Sequence, residues 1–151
     1  MTSRSAFAAG LLVFFDQLTK LLISNALGQG ESIPVLPGLF HLTLVHNTGI
    51  SFGLLKGMLP VFILLSAAVI LFIIFYAGRF SRSHGILRAG LVFILGGTIG
   101  NLIDRIRLGY VIDFIDLRVW PVFNIADFAI TVGGLLVACH IFRKQHVPHS
   151  I

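Results

Sequence analysis

Two aspartates, Asp113 and Asp127, stand in the segments Gly109-Tyr-Val-Ile-Asp-Phe and Phe123-Asn-Ile-Ala-Asp-Phe of a chain that is otherwise strongly apolar. A charged side chain at the middle of a membrane helix costs roughly 2.5 to 3.5 kcal/mol on insertion scales, so acids in such a chain mark function by default. Two carboxylates a few ångströms apart do not ionise together easily and share a proton near neutral pH. One member of such a pair can take a proton from water as the water attacks an amide carbonyl, while the other protonates the developing oxyanion. The same residues also fit a proton or ion pathway, or a purely structural role, and spacing leaves all three open.

The two acids are fourteen residues apart, a separation of about 21 Å along a continuous helix. They meet only if the chain turns between them. Trp120-Pro121 supplies that break, and Trp suits a membrane interface. Asp127 then lies in the first turns of a final span, near its outer end, with Asp113 on the loop or helix end leading to it. Asn124 can cap that span or hydrogen-bond a neighbouring carboxylate.

The elements that must position these groups follow from composition. At 56% hydrophobic residues and a mean hydropathy of +0.97, the chain exceeds the roughly 45 to 50% apolar content of soluble domains. Apolar runs of spanning length cover residues 6–24, 59–77, 86–106 and 123–142, each near the roughly 20 residues that cross the hydrocarbon. The expected fold is an all-α integral membrane protein of four transmembrane helices, one domain over residues 1–151, with a small extracytoplasmic β-containing loop domain between the first and second helices. The second run has Ser66 as its single polar residue before Tyr76 and reads as lipid-facing.

Charge gives the orientation. Arg4, Arg79, Arg82, Arg88, Arg143 and Lys144 flank one side, and Lys56, Arg105, Arg107 and Arg118 the other. The positive-inside rule then favours cytoplasmic termini. These cations are scattered singly, without the basic stripe of a nucleic-acid binder. Cys139 is the lone cysteine, which excludes an internal disulfide and a cysteine-based metal cluster.

Asp16, Gln17 and Lys20 interrupt the first run, and Asp16 and Lys20 stand one helical turn apart, acid first, so they can pair. Lys20 can also snorkel toward the interface. The pair reads as an anchor for the bundle rather than a direct participant in chemistry. In the first outer loop, Phe40-His-Leu-Thr-Leu alternates as a half-buried strand does, bounded by Pro34, Pro37 and Gly38 and by a turn at Asn47-Thr-Gly49. Ile50-Ser-Phe-Gly resembles a short interfacial or re-entrant segment. Such a sheet can receive an extended peptide.

The third run ends in Gly96-Gly-Thr-Ile-Gly-Asn-Leu-Ile-Asp-Arg105. Gly96 and Gly100 have the small-xxx-small spacing of close helix contacts, and Gly133 and Gly134 offer a matching surface on the fourth run. Gly97, Asn101, Asp104 and Arg105 share neighbouring helical positions and form a polar face near the outer end. Asn101 and Asp104 read either as a clasp between helices or as groups that orient substrate or a catalytic acid. Arg105 can bind a backbone carbonyl, a lipid ester or a phospholipid headgroup.

Five motifs recur in order: Asp16-Gln-Leu-Thr-Lys20, Asn47-Thr-Gly49 with Phe52-Gly53, Gly100-Asn-Leu-Ile-Asp-Arg105, Gly109-Tyr-Val-Ile-Asp113-Phe and Phe123-Asn-Ile-Ala-Asp127. On these the chain resembles the bacterial lipoprotein signal peptidases, or signal peptidase II, membrane aspartyl proteases of four spans. The resemblance implies that Asp113 and Asp127 are catalytic. It implies that Asp16, Asn47, Gly49, Asn101, Arg105 and Asn124 support the site or contact substrate, with a more structural role for Lys20 and Asp104. The implied substrate is a prolipoprotein whose lipobox cysteine carries diacylglycerol, cut just before that cysteine, with no cofactor. The implied setting is the bacterial inner membrane, with the site near the outer leaflet surface, a monomer among membrane lipids, and inhibition by globomycin-type peptides. Ile50-Ser51, His46 and Phe128 depart from the family's usual residues at those positions.

The six histidines lack HExxH or comparable metal spacing. The rival from another class is a small transporter or proton channel, whose acids would extend across the midplane rather than cluster at one face. A catalytically dead binder of lipidated peptides is the third reading.

Overall fold

Each expected apolar run forms a helix in the computed structural model, which describes residues 2–49, 58–76 and 85–145. The helices are α1 (Ser3–Ala26), α2 (Leu59–Tyr76), α3 (Gly85–Leu108) and α4 (Ile125–Gln145), and the strands are β1 (Ser32–Leu36), β2 (Phe40–Asn47) and β3 (Val111–Asp116). Among the described residues, α1, α3 and α4 are long and apolar enough to cross a membrane, while α2 is a shorter apolar helix. Phe7, Leu64, Phe75 and Leu135 point outward, each more than 60% exposed, as lipid contact requires. The interfacial segment expected at Ile50-Ser-Phe-Gly lies outside the described residues.

Glycines set the helix contacts, though not in the expected pairing. Gly90 and Gly133 meet backbone to backbone, and a Cβ on Gly97 would fall against the Ala126 carbonyl oxygen, so these residues make the α3–α4 contact. Gly96 and Gly100 instead face α1, against Leu12 and the Asp16 carboxylate, and Gly134 has open space around it. The spacing announces a close approach without specifying which neighbour makes it. Ala9, Ile73, Val92 and Leu95 fill the junction of α1, α2 and α3.

The sheet is antiparallel with strand order β1-β2-β3. It is not confined to the loop between the first two helices, because its third strand follows α3. Gly109 takes φ 79° and donates its N–H to the Arg105 carbonyl at 3.1 Å, a left-handed C-cap that stops α3 and redirects the chain. Val111–Asp116 then pairs with β2, with Asp113 opposite Val45. Pro34 is tolerated in β1 because that strand is an edge.

The reversal between the two motif aspartates brackets Trp120-Pro121. Asp116 accepts the Arg118 N–H at 2.8 Å, and Ile115 bridges to Phe123. Arg118 takes φ 65°, the left-handed region, and its guanidinium pairs with Asp116 at 3.2 Å.

Candidate active site

Asp113 enters the site from β3 and is 1% exposed. Its Oδ2 accepts from Asn47 Nδ2 at 2.8 Å, and its Oδ1 from Asn124 Nδ2 at 2.6 Å. Asn47 sits at the end of β2, where its own Oδ1 accepts the Gly49 N–H at 3.0 Å, so the turn residue holds the asparagine that holds the acid.

Asp127 lies in the first turn of α4. Its Oδ1 accepts from Asn101 Nδ2 at 2.8 Å, and its Oδ2 faces the Asn124 N–H at 3.4 Å. Asn124 Oδ1 accepts the Asp127 N–H at 2.9 Å, which makes Asn124 the N-cap of α4 and, through Asp127, a reciprocal box. One fully buried asparagine therefore touches both acids, the expected cap and carboxylate contact realised together.

Beneath this pair lies a second polar layer. Lys20 Nζ is 2.8 Å from Asp16 Oδ2, 2.8 Å from Asp104 Oδ2 and 2.9 Å from Asn101 Oδ1. It does not snorkel: at 1% exposure it is buried, because three acceptors satisfy its three donors and leave no reason to reach for water. Asp16 Oδ1 caps the Ala126 N–H of α4 at 2.9 Å, and Asp104 Oδ2 accepts the Ile112 N–H of β3 at 3.2 Å. Each of these acids anchors the segment that carries one of the upper two. Gln17 completes the layer, donating to Asp104 Oδ1 at 2.8 Å and to the Gly100 carbonyl at 3.2 Å.

Arg105 stands beside the network rather than in it. Its guanidinium lies 5.3 Å from the centre of the Phe62 ring on α2, within cation–π range, and its charge acts on Asp127, Asp113 and Asp104. Nine of the ten residues singled out in the sequence thus form one hydrogen-bonded set: Asp16, Lys20, Asn47, Gly49, Asn101, Asp104, Asp113, Asn124 and Asp127.

Electrostatics separate Asp113 from ordinary carboxylates. Burial, and then the charge of Asp127, push its carboxyl up to about 7, against the lowering effect of the amides of Asn47 and Asn124 and of Lys20. Such a group can hold a proton near neutral pH and release it during chemistry. Among the described residues, no group of three or more His, Cys, Asp and Glu has the arrangement of a metal site. Beside Asp127 an open, mainly apolar cavity of about 470 Å³ is lined by Leu117, Trp120, Phe123, Phe128, Ile130 and Thr131.

The family model for signal peptidase (SPase) II matches residues 8–143, a stretch that contains every residue of this network. The chain belongs to the signal peptidase II family. Within this peptidase family it is 40% identical over 137 residues to a lipoprotein signal peptidase of Halothermothrix orenii, covering 91% of this chain and 94% of that one. It is 46% identical over 129 residues to a lipoprotein signal peptidase of Moorella thermoacetica, covering 85% of each. A bacterial membrane enzyme solved by the in meso method at 2.3 Å resolution superposes with a TM-score of 0.93 at 26% identity, over 100% of this chain and 94% of that one. A second, solved at 1.9 Å, gives 0.85 at 28% identity over 93% and 94%. The chain is thus a membrane-embedded member of a bacterial signal peptidase II family.

Two contributors escaped sequence reasoning. Gln17 reads as a mere polar interruption of an apolar run, although its place inside Asp16-Gln-Leu-Thr-Lys20 was the available signal. Asp116 carried no signal for its role in the reversal, where Thr43 Oγ1 of β2 also donates to it at 2.8 Å.

Proposed function

We propose that the chain is a four-span aspartyl endopeptidase of the bacterial inner membrane. It removes signal peptides from diacylglyceryl-modified prolipoproteins by cutting just before the lipidated cysteine. The observation that carries this reading is Asn124, hydrogen-bonded at once to Asp113 and Asp127 at the sheet-bearing end of the bundle.

Asp113 holds the proton shared by the two acids near neutral pH, in keeping with its carboxyl being pushed up to about 7. Asp127, its Oδ1 held by Asn101 and Asn101 in turn by Lys20, serves as the base. Water bound between the acids attacks the scissile carbonyl carbon, its proton passes to Asp127, and Asp113 protonates the carbonyl oxygen. Collapse of the tetrahedral intermediate breaks the C–N bond: the proton taken up by Asp127 leaves with the amine of the new N-terminal cysteine, and a hydroxyl proton of the intermediate returns to Asp113, which restores the starting pair. Asn47, Gly49, Asn101, Asn124 and Asp16 position these groups, Lys20 and Asp104 brace them, and Arg105 contacts substrate.

A substrate tethered by diacylglycerol reaches such a site without its lipid leaving the membrane. The apolar cavity beside Asp127 supports this, since it can receive hydrocarbon or an apolar signal-peptide side chain. The termini are cytoplasmic, the site lies near the outer leaflet surface, the chain acts as a single monomeric domain, and globomycin-type peptides block it. The four acids of the network gather in one hydrogen-bonded set around β3 and the first turn of α4 rather than forming a chain along the bundle, which favours hydrolysis over a transmembrane proton relay.

The test is cleavage of a synthetic lipobox peptide by the purified protein in detergent. The diacylglyceryl-modified peptide yields a lipidated N-terminal cysteine, and its unmodified counterpart is cut at least tenfold more slowly. Equal cleavage of both peptides, or none of either by folded protein, contradicts the assignment.

A further inference from the structure

At the end of the bundle away from the sheet, α1 and α3 flank an open groove of about 590 Å³. Arg4 and Arg88 line it with Thr2 and Ser3, and Ala8 and Phe93 supply apolar surface. Two arginines beside apolar surface in one groove match the two halves of a phospholipid, its phosphate and its acyl chain.

Charge accounting sharpens the point. The chain has six Asp and Glu residues: Asp16, Asp104, Asp113 and Asp127 in the network, Glu31 just ahead of β1 and Asp116 on β3. Asp16, the nearest along α1, is twelve residues from Arg4, about 18 Å of helix rise. No acidic side chain of this protein therefore reaches Arg4 along its own helix, and among the described residues neither Arg4 nor Arg88 forms a salt bridge. The first turns of α1 and α3 open at the same end and add to its positive potential.

We propose that this groove is a binding site for an anionic phospholipid, with Arg4 and Arg88 on the headgroup phosphate and the acyl chain along Ala8 and Phe93. Basic pockets between membrane helices hold anionic headgroups in this way, and the fork geometry of arginine suits phosphate. The site lies at the far end from the hydrolytic residues, so it governs how the bundle sits in the membrane rather than the chemistry. It stands or falls separately from the peptidase reading.

The test measures thermal unfolding of the purified protein in neutral detergent with phosphatidylglycerol, phosphatidylcholine or inorganic phosphate added. Phosphatidylglycerol well above its Kd raises Tm by roughly 5 °C relative to phosphatidylcholine. The Arg4→Gln/Arg88→Gln double variant loses most of that shift, and Arg107→Gln, at the opposite end, keeps it. If the double variant does not fold, the single variants Arg4→Gln and Arg88→Gln each lose about half of the shift. An equal rise with inorganic phosphate alone would assign the site to a free anion and overturn the lipid. A full shift retained by the folded double or single variants overturns the site itself.

Discussion

The carboxylate of Asp16, midway along the first helix, accepts the N–H of Ala126 in the first turn of the last helix at 2.9 Å. A residue of α1 thereby caps α4, and its second oxygen holds Lys20 at 2.8 Å. The chain's two ends are joined at the residue preceding Asp127, so the geometry of one candidate catalytic acid depends on a helix more than a hundred positions earlier.

Removal of that carboxylate should therefore damage the scaffold first. Asp16→Ala strands an N–H at the start of α4 and takes one of two carboxylates from a buried ammonium, a change that typically costs about 3 to 5 kcal/mol when a buried pair is broken. We expect lower yield and a lower Tm, while activity per folded molecule falls less than about tenfold. A variant with wild-type Tm and no activity would instead assign Asp16 to the chemistry.

Glycine substitutions should separate contact from spacing. A methyl at Gly97 meets the Ala126 carbonyl and Ile130, whereas one at Gly134 meets nothing within 4 Å. Gly97→Ala should cost about 1 to 3 kcal/mol by forcing α3 from α4, and Gly134→Ala should stay within about 0.5 kcal/mol of wild type. Thermal unfolding of both in one detergent checks this, and equal losses would contradict the helix contact described.

The proton on Asp113 gives stability a pH dependence of known sign. Its carboxyl titrates near 7 in the folded protein, against 3.8 ordinarily, so between those values the folded chain holds a proton that the unfolded chain has released. Stability from this group is full below about pH 4, declines as pH rises toward 7 and is then lost. Tm should fall across that window, and Asp113→Asn should flatten the slope. The alkaline limb of kcat/KM should show an apparent pKa near 7 that belongs to the pair of acids. An unchanged slope in the variant would remove the raised carboxyl.

Much of this architecture is legible in the residues because the membrane imposes simple rules. Apolar runs of spanning length became α1 through α4 with ends shifted by three residues or fewer, and the alternation from Phe40 became β2. The strand carrying Asp113 was not legible: Val111-Ile-Asp-Phe-Ile-Asp lacks a period of two, because five of its six residues are buried and polar groups on both sides satisfy its acids. Lys20 misled for a related reason, since the distance from one residue to its i, i+4 neighbour says nothing about Asp104 and Asn101 arriving from another helix. The shared spacing of Gly96 and Gly100 announced a helix contact without naming α1 as the partner.

Turnover of a diacylglyceryl-modified lipobox peptide by Asp113→Asn and Asp127→Asn, each compared with wild type at equal folded concentration, tests the two-acid mechanism most directly. Each variant keeps the side chain's shape while removing its ability to exchange a proton, and each should lose activity by about 10³-fold or more. Wild-type cleavage by either folded variant would contradict it.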